Sequence, residues 1–266
     1  MIGFIGYGNM SKAMIEGLVD AKVFDEEYII VSGRNDNQLT AARALGIITT
    51  SGNKKVAAQS DVLIICVKPH QYEEVIKEIE PYLQKHTIVV SIAAGLTLST
   101  LASYFHQPVK LMRTMPNTPA KVGAGMTALI PNEHMTENDV AKVRRIFDAF
   151  SRTEMVEESL IDAAIATSGS APAYLYMMLD AMIAGGMAAG MDRKQATAFT
   201  TQAMIGAAKM VAASDQDPEA LVEAVCSPNG TTIEAVNTLR EANFKAIVME
   251  AMAACVARSK EMAAGG

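Results

Sequence analysis

The chain has 266 residues, of which 50% are hydrophobic and 20% charged, with a formal net charge of -6. That is material for one large domain or two ordinary ones with a sizeable core, and it lacks the basic excess that a nucleic-acid binder needs. The cysteines, Cys66, Cys226 and Cys255, are odd in number and far apart, with no C-x-x-C spacing, so neither a disulfide framework nor a zinc site is indicated and a reducing cytoplasm is the expected setting.

In chain order, Ile2-Gly3-Phe4-Ile5 is a short apolar strand that runs into Gly6-Tyr7-Gly8-Asn9-Met10-Ser11, and Lys12 to Leu18 continues as a helix. Strand, G-x-G turn and helix in that order are a dinucleotide-binding fingerprint. Gly6 permits the tight turn, and Gly8, having no Cβ, lets backbone approach a pyrophosphate on the helix N-terminus. Ser11 stands where a third glycine is common and is small enough for close helix–strand packing. With a strand expected at residue 2, no signal peptide is expected, and no apolar run reaches the ~18 to 20 residues of a membrane span.

Tyr28 to Val31 reads as the second strand. Asp61 to Val67 is the continuous apolar run expected of a strand buried on both faces, and Thr87 to Ile92 is another. Val109 to Met112 and Met126 to Ile130 are shorter strands. Helical segments lie between them; in Gln71 to Leu83, the residues Val75, Ile76, Ile79 and Leu83 share one face. The alternation predicts an α/β class domain over residues 1–157 with a parallel, doubly wound Rossmann-type sheet.

Residues 158–266 show no further strand signal and predict an all-α domain. Asp192-x-x-Gln195 and Thr231-x-x-Glu234 read as capping boxes, and Asp217-Pro218-Glu219 as an N-cap followed by proline at the first helical position. Ala181, Gly185 and Ala189, four apart, mark a face that allows close helix approach. The Met and Ala stripes are first of all core packing. Helices this apolar in a domain of ~110 residues also predict burial against another subunit. No internal repeat or low-complexity linker occurs, and residues 263–266 read as a frayed end.

Sites that take NAD carry an Asp or Glu at the end of the second strand. This chain has Ser32-Gly33-Arg34-Asn35 there. Arg34 suits a 2′-phosphate, with Ser32 and Asn35 as hydrogen-bond donors, so NADP is the expected cofactor. NAD stays open, because Asp36 is adjacent and Arg34 also reads as a plain surface arginine. Val67-Lys68-Pro69 and Ile92-Ala93-Ala94-Gly95 follow other strands at the ends where open α/β sheets bind ligands. The Ala-Ala-Gly turn offers backbone without bulk, which suits a nicotinamide ribose. Lys68 reads equally as a ribose or phosphate contact and as a solvated side chain.

Two stretches, Ser168 to Tyr174 and Ser227 to Ile233, break the helical pattern with small polar residues. The plain reading is an interhelical turn, with Thr231 as N-cap toward Glu234. Thr232 is then left over, its hydroxyl in the first turn beside N–H groups that the helix cannot pair. Such a terminus can bind a small carboxylate, and a spare hydroxyl can reach a second group on the same ligand. His, Asp and Glu do not cluster at metal-ligand spacing, so no metal is expected.

On Gly6-Tyr7-Gly8-Asn9-Met10, Val67-Lys68-Pro69, Ala93-Ala94-Gly95, Arg113-Thr114-Met115-Pro116-Asn117-Thr118-Pro119, Ser168-Gly169-Ser170-Ala171-Pro172-Ala173-Tyr174 and Ser227-Pro228-Asn229-Gly230-Thr231-Thr232-Ile233, the chain resembles the pyrroline-5-carboxylate reductases over nearly its whole length. The first motif is shared with many dehydrogenases; the last three in this order are specific. The resemblance implies NAD(P)H-dependent reduction of L-1-pyrroline-5-carboxylate, a cyclic imino acid, to L-proline, the last step of proline biosynthesis. It implies cofactor contacts from Gly6, Tyr7, Gly8, Asn9, Met10, Ser32, Arg34, Val67, Lys68, Pro69, Ala93, Ala94 and Gly95, with the family's adenine-side asparagine at Asn53.

The family's substrate loop falls on Gly230, Thr231 and Thr232. Thr232 matches the threonine that contacts the imine nitrogen and is the catalytic candidate, the N–H groups of residues 230 to 232 hold the carboxylate, and Ser168 and Ser170 line the opposite wall. The resemblance also implies a homodimer with intertwined helical domains, extended in larger rings up to a decamer of dimers, in which each site combines a nucleotide domain with helices of the partner. One departure is Asn229, where the family usually has the first glycine of Ser-Pro-Gly-Gly; asparagine tolerates left-handed backbone, so the loop shape is expected to survive.

All four histidines, His70, His86, His106 and His134, precede residue 158, so neither loop of the second domain holds a histidine acid. A protonated cyclic imine is already electrophilic, and positioning is the main task left to the protein. Two alternatives remain. One is a hydroxyacid dehydrogenase or another imine reductase on the same plan, weakened because Lys194 and Lys209 sit in no recognisable motif. The other is a non-catalytic NADP-binding redox sensor whose loops are only turns.

Overall fold

The computed structural model describes residues 1–264, apart from the side chains of Asp36 and Gln38. The first elements alternate strictly: β1 (Ile2–Ile5), α1 (Asn9–Asp20), β2 (Ile29–Ser32), α2 (Asp36–Ala44), β3 (Ile48–Thr50), α3 (Asn53–Gln59), β4 (Val62–Ile65), α4 (Tyr72–Ile79), β5 (Ile88–Ser91), α5 (Leu98–Ser103) and β6 (Lys110–Met115). After β6 come β7 (Gly125–Pro131), α6 (Glu137–Phe147) and β8 (Ser151–Met155). They form one sheet in the order β3-β2-β1-β4-β5-β6-β7-β8.

Every residue of β1, β2, β4 and β5 is buried, as their unbroken apolar runs require. One face of the sheet packs Met14, Ile15 and Leu18 of α1 with Phe147 and Phe150. The other packs Val56 of α3, Val75, Ile76 and Ile79 of α4 and Leu101 of α5. Each such side chain contributes roughly 1.5 to 3 kcal/mol through the area it removes from water. The sheet therefore holds its strand ends rigidly in line, which is what a site built on those ends needs.

The sheet departs from the all-parallel expectation at one seam. β6 and β7 are antiparallel, with Thr114 opposite Leu129. The link between them holds only the short 3-10 turn Thr118–Val122, and a parallel return needs a crossover of a dozen or more residues. Helix α6 supplies such a crossover, and β8 is parallel to β7. Strands β3 and β8 escaped the sequence pattern for different reasons. β3 is a three-residue edge strand. The inward face of β8 is polar, with Ser151 and Thr153 buried and the Thr127 and Ser151 hydroxyls 2.9 Å apart.

Thr136 caps α6 through its side chain, and Asp139 completes the box by accepting from the Thr136 N–H at 3.0 Å and the Thr136 O–H at 2.7 Å. Asp139 also meets the Lys110 ammonium at 2.9 Å. Burial acts to raise its carboxyl pKa, but the Thr136 and Lys110 contacts outweigh burial and lower it from 3.8 to about 2. The contribution to stability is therefore complete above the unfolded value and is lost as pH falls from about 4 to about 2. Asp139→Asn is expected to cost about 2 kcal/mol at neutral pH. In urea unfolding curves the gap to the wild type closes as pH drops through that window; a gap that does not change with pH would remove the ion from the account.

After β8 the chain is helical: α7 (Ile161–Ala164), α8 (Ala171–Ala188), α9 (Arg193–Ala213), α10 (Pro218–Val225), α11 (Thr231–Glu241) and α12 (Phe244–Ala263). Sequence grammar changes at residue 158, yet the first compact unit runs from Met1 to Pro172 and takes back the end of the chain from Cys255, leaving Ala173–Ala254 as the second. The reason is local packing. Ile161 is buried in a cluster with Met115, Ala128 and Ile130, and the Ser259 hydroxyl donates to Asp162 at 2.6 Å.

Within the second unit the predicted capping box at Asp192 and Gln195 and the Asp217 N-cap are present. Its described residues include few buried ones, Ala196 and Thr200, while Met177, Phe199 and Val225 are 74%, 68% and 67% exposed. A Cβ on Gly185 would meet nothing within 4 Å, whereas one on Gly186 would lie 3.1 Å from the Ala196 methyl. The close approach of α8 to α9 is thus at Gly186, one residue from the stripe that the spacing marked. An apolar surface of this extent belongs against another chain.

Candidate functional site

The carboxyl ends of β2, β1, β4 and β5 stand side by side. Strand order reverses between β1 and β4, and ligands of open sheets bind at such a switch point. A cleft of about 430 Å³ opens there, lined by Gly6, Tyr7, Gly8, Ser32, Gly33, Arg34, Ser51, Asn53, Val67, Lys68, Gln71, Val75 and Glu78. Gly6 has φ +95°, and a Cβ there would sit 3.1 Å from the Cys66 carbonyl oxygen, so the turn accepts only glycine without strain. Gly8 is the N-cap of α1, no side chain caps this helix, and a Cβ on Gly8 would meet nothing within 4 Å. The first-turn N–H groups of α1 thus face open space, as an anion-binding helix end requires. Arg34 makes no ion pair or hydrogen bond among the described residues and brings a free cation to the same cleft.

Of the predicted cofactor residues, Gly6, Tyr7, Gly8, Ser32, Arg34, Asn53, Val67 and Lys68 meet in the cleft, while Asn9, Met10, Pro69, Ala93, Ala94 and Gly95 are not in its lining. Met10 packs toward the core. Ala93, Ala94 and Gly95 form a separate turn after β5, with Gly95 at φ +80° and the Met262 carbonyl oxygen 3.2 Å from where a Cβ would be. Burial of the Tyr72 ring holds the ends together: its O–H donates to the Ile65 carbonyl and accepts from the Ile92 N–H. Tyr7 is nearly buried, and burial, then the Glu16 carboxylate, raise its phenol pKa. Its phenol therefore stays protonated and forms part of the cleft wall.

Two details of the predicted phosphate grip differ. Ser32 is fully buried and its O–H donates to Asn53 Oδ1 at 2.7 Å, so it is not free to donate to a ligand. The Asn35 side-chain oxygen caps α2 by accepting from the Asn37 N–H at 3.0 Å. The Asp36 side chain lies outside the described residues. Ser51, Gln71 and Glu78 were missed. The available signal was the spacing of Gln71, Val75 and Glu78, four and three apart on one helical face.

Ser168 and Ser170 belong to the first unit. A π-helical turn spans Ile165–Gly169, closed by the Ser170 N–H to the Ile165 carbonyl at 2.8 Å; such turns interrupt helices frequently at functional sites. The Ser168 hydroxyl donates to the Ala164 carbonyl at 2.9 Å, and the Ser170 hydroxyl lies 3.3 Å from the Cys255 thiol. Asn117 ties this turn to the sheet, donating to the Ser168 carbonyl at 3.0 Å and accepting from the Met126 N–H at 2.9 Å. That is the physical role of the motif's asparagine. The motif's Arg113 is buried and pairs with Glu158 at 2.7 Å, where Glu158 also accepts from the Leu98 N–H.

In the second unit, Ser227 to Gly230 form a tight turn. The Gly230 N–H donates to the Ser227 carbonyl at 2.9 Å, and Asn229 has φ +59°, so asparagine does hold the left-handed position. Proline before a residue with positive φ is the signature of a type II turn. A Cβ on Gly230 would lie 2.3 Å from Ser227 Oγ and 3.0 Å from the Ser227 carbonyl oxygen, so any larger residue there makes the Ser227 side chain move. Gly230, not Thr231, is the N-cap of α11, with no side-chain cap bond. The Thr231–Glu234 box therefore does not form, because Thr231 is already inside the helix. The Gly230 N–H is engaged in its own turn, leaving Thr231 and Thr232 as the open donors of this segment. The Thr232 hydroxyl, half-buried in the first turn, has no partner among the described residues.

Among the described residues no group of three His, Cys, Asp or Glu side chains is placed to hold a metal ion, and no helix is long and apolar enough to cross a membrane.

Sheet order, glycine turn and switch-point cleft place the chain in the class of Rossmann-type dinucleotide-binding proteins. Residues 158–262 match the family described as pyrroline-5-carboxylate reductase dimerisation, and residues 1–95 match that described as NADP oxidoreductase, coenzyme F420-dependent. Pyrroline-5-carboxylate reductase of Escherichia coli (strain K12) is 42% identical over 98% of this chain and 97% of its own length. A pyrroline-5-carboxylate reductase of Coxiella burnetii is similar at TM-score 0.89 and 32% identity, covering 98% of this chain and 97% of that one. A structure of the Plasmodium falciparum pyrroline carboxylate reductase, solved with NADP bound, matches at TM-score 0.89 and 29% identity over 98% of this chain and 97% of that one. The chain belongs to the pyrroline-5-carboxylate reductase family. It carries that family's dimerisation segment, which points to a homo-oligomer.

Proposed function

We propose that this chain reduces L-1-pyrroline-5-carboxylate to L-proline, the last step of proline biosynthesis, with NADPH as hydride source. The observation that carries the reading is the unpartnered Thr232 hydroxyl in the first turn of the uncapped helix α11, in a chain 42% identical to the Escherichia coli enzyme of that name. The nucleotide domain is residues 1–157 and the substrate and dimerisation domain residues 158–266. The cleft fits a dinucleotide: Gly6 and Gly8 admit its pyrophosphate onto α1, and Arg34 meets a 2′-phosphate, with NADH as a weaker substitute. Ala93, Ala94 and Gly95 serve the nicotinamide end. Bound NADPH supplies the hydride.

The protein's part is to bind and orient. The Thr231 and Thr232 N–H groups hold the substrate carboxylate, the Thr232 hydroxyl hydrogen-bonds the ring nitrogen, and the Ser168–Ser170 turn bounds the substrate. The ring nitrogen enters protonated, so no side chain has to supply that proton. The assembly is a homodimer with intertwined helical domains, built into larger rings, working in the cytoplasm.

The test is an assay of the purified chain. NADPH oxidation is expected with pyrroline-5-carboxylate, and no reduction of NADP is expected with 3-hydroxyacids. Saturable NADPH binding without turnover of any cyclic imine would instead support the sensor alternative.

A further inference from the structure

The cleft contains a carboxylate that the end of β2 does not supply. Glu78, near the end of α4, is half-buried and shares the lining with Ser32, Arg34, Asn53 and Lys68. Glu78 Oε2 accepts from Asn53 Nδ2 at 2.8 Å, and Asn53 Oδ1 accepts the Ser32 O–H at 2.7 Å. An ionised carboxylate can only accept. The amide must therefore turn an N–H toward Glu78 and its oxygen toward Ser32, and Ser32 must donate. One charge at the end of the relay decides the orientation of all three groups.

Two valences are left over. Asn53 keeps a second N–H, and Glu78 keeps a second oxygen that has no partner among the described residues. Neither Arg34 nor Lys68 forms an ion pair with Glu78 among the described residues, so its charge is not neutralised by a contact. We propose that Glu78 is a specificity-determining residue for the coenzyme. It holds Asn53 with an N–H offered to the adenosine end, and its charge favours a ribose 2′-hydroxyl over a 2′-phosphate, opposing Arg34. The inference rests on the dinucleotide reading of the cleft proposed above. It places on α4 the acid that dinucleotide folds commonly carry after the second strand.

The experiment is direct binding of NADPH and of NADH to the purified enzyme, read by fluorescence, for the wild type, Glu78→Gln and Glu78→Ala. Glutamine keeps an acceptor for Asn53 and removes the charge. The ratio of the NADH to the NADPH dissociation constant is expected to rise roughly fivefold in Glu78→Gln, from loss of one like-charge repulsion near the surface, and to rise less at high salt. Alanine also frees the amide. The lost orientation is then expected to weaken NADH about threefold, while removal of the charge offsets that loss for NADPH, so the ratio is still raised. A merely structural role weakens both coenzymes alike. Ratios within twofold of the wild type in both variants would overturn the inference alone, while a wild type that binds neither coenzyme would overturn it together with the dinucleotide reading.

Discussion

Thr232→Ala is expected to lower turnover of pyrroline-5-carboxylate by roughly 100-fold, the scale of removing one aligned donor at a reacting centre, while the NADPH dissociation constant stays within a factor of two. The separation is expected because Thr232, in the first turn of α11, is not among the residues that line the cleft. The hydroxyl has no partner among the described residues, so its removal breaks no internal hydrogen bond. Threonine to alanine at a partly exposed first-turn site changes helix stability by roughly 0.5 kcal/mol, too little to mimic the kinetic loss through unfolding. Thr232→Ser keeps the hydroxyl and is expected to keep most of the activity. Steady-state rates with a parallel binding titration decide it; unchanged turnover in the alanine variant would remove Thr232 from the mechanism.

Gly17→Ala is expected to be the most damaging small substitution in the first unit. Gly17 lies in α1, where alanine is normally preferred over glycine by about 1 kcal/mol. Here a Cβ would stand 2.3 Å from the Ala120 carbonyl oxygen and 2.7 Å from the Phe150 Cβ. The first is backbone of the Thr118–Val122 turn and the second belongs to a fully buried residue, so neither can step aside cheaply. Relieving the clash means lifting α1 off the sheet, at a cost of about 3 kcal/mol or more, which exceeds the propensity gain. Because α1 begins at the glycine turn, the same shift moves its N-terminus, and dinucleotide affinity should fall together with the urea midpoint. A variant as stable as the wild type would mean that helix and turn are not packed as described.

How much of this was legible in sequence depended on whether the signal was local. Gly6 and Gly8 could be assigned because a turn with positive φ and an open backbone approach is a property of a few consecutive residues. Asn229 could be assigned for the same reason, and its φ of +59° agrees. The capping role of Thr231 was misplaced by one residue, because the choice of N-cap rests on the geometry of the turn before it, and that turn closes through Gly230. Ser32 is a comparable case. A serine at a strand end looks like a ligand donor until the fold sets Asn53 beside it, 21 residues further on.

By itself the sequence determined the βα alternation, the buried strands, the switch-point glycine turn and the helical second half. Each is written in periodicity and in the conformational limits of single residues, and these act over a few bonds. Only the tertiary structure decided the antiparallel seam between β6 and β7, the bracing of the Ser168 turn by Asn117, and the arrival of Glu78 in the switch-point cleft. Those depend on which distant segments the shared burial of apolar faces presses together, and on the donors and acceptors that must then find partners away from water.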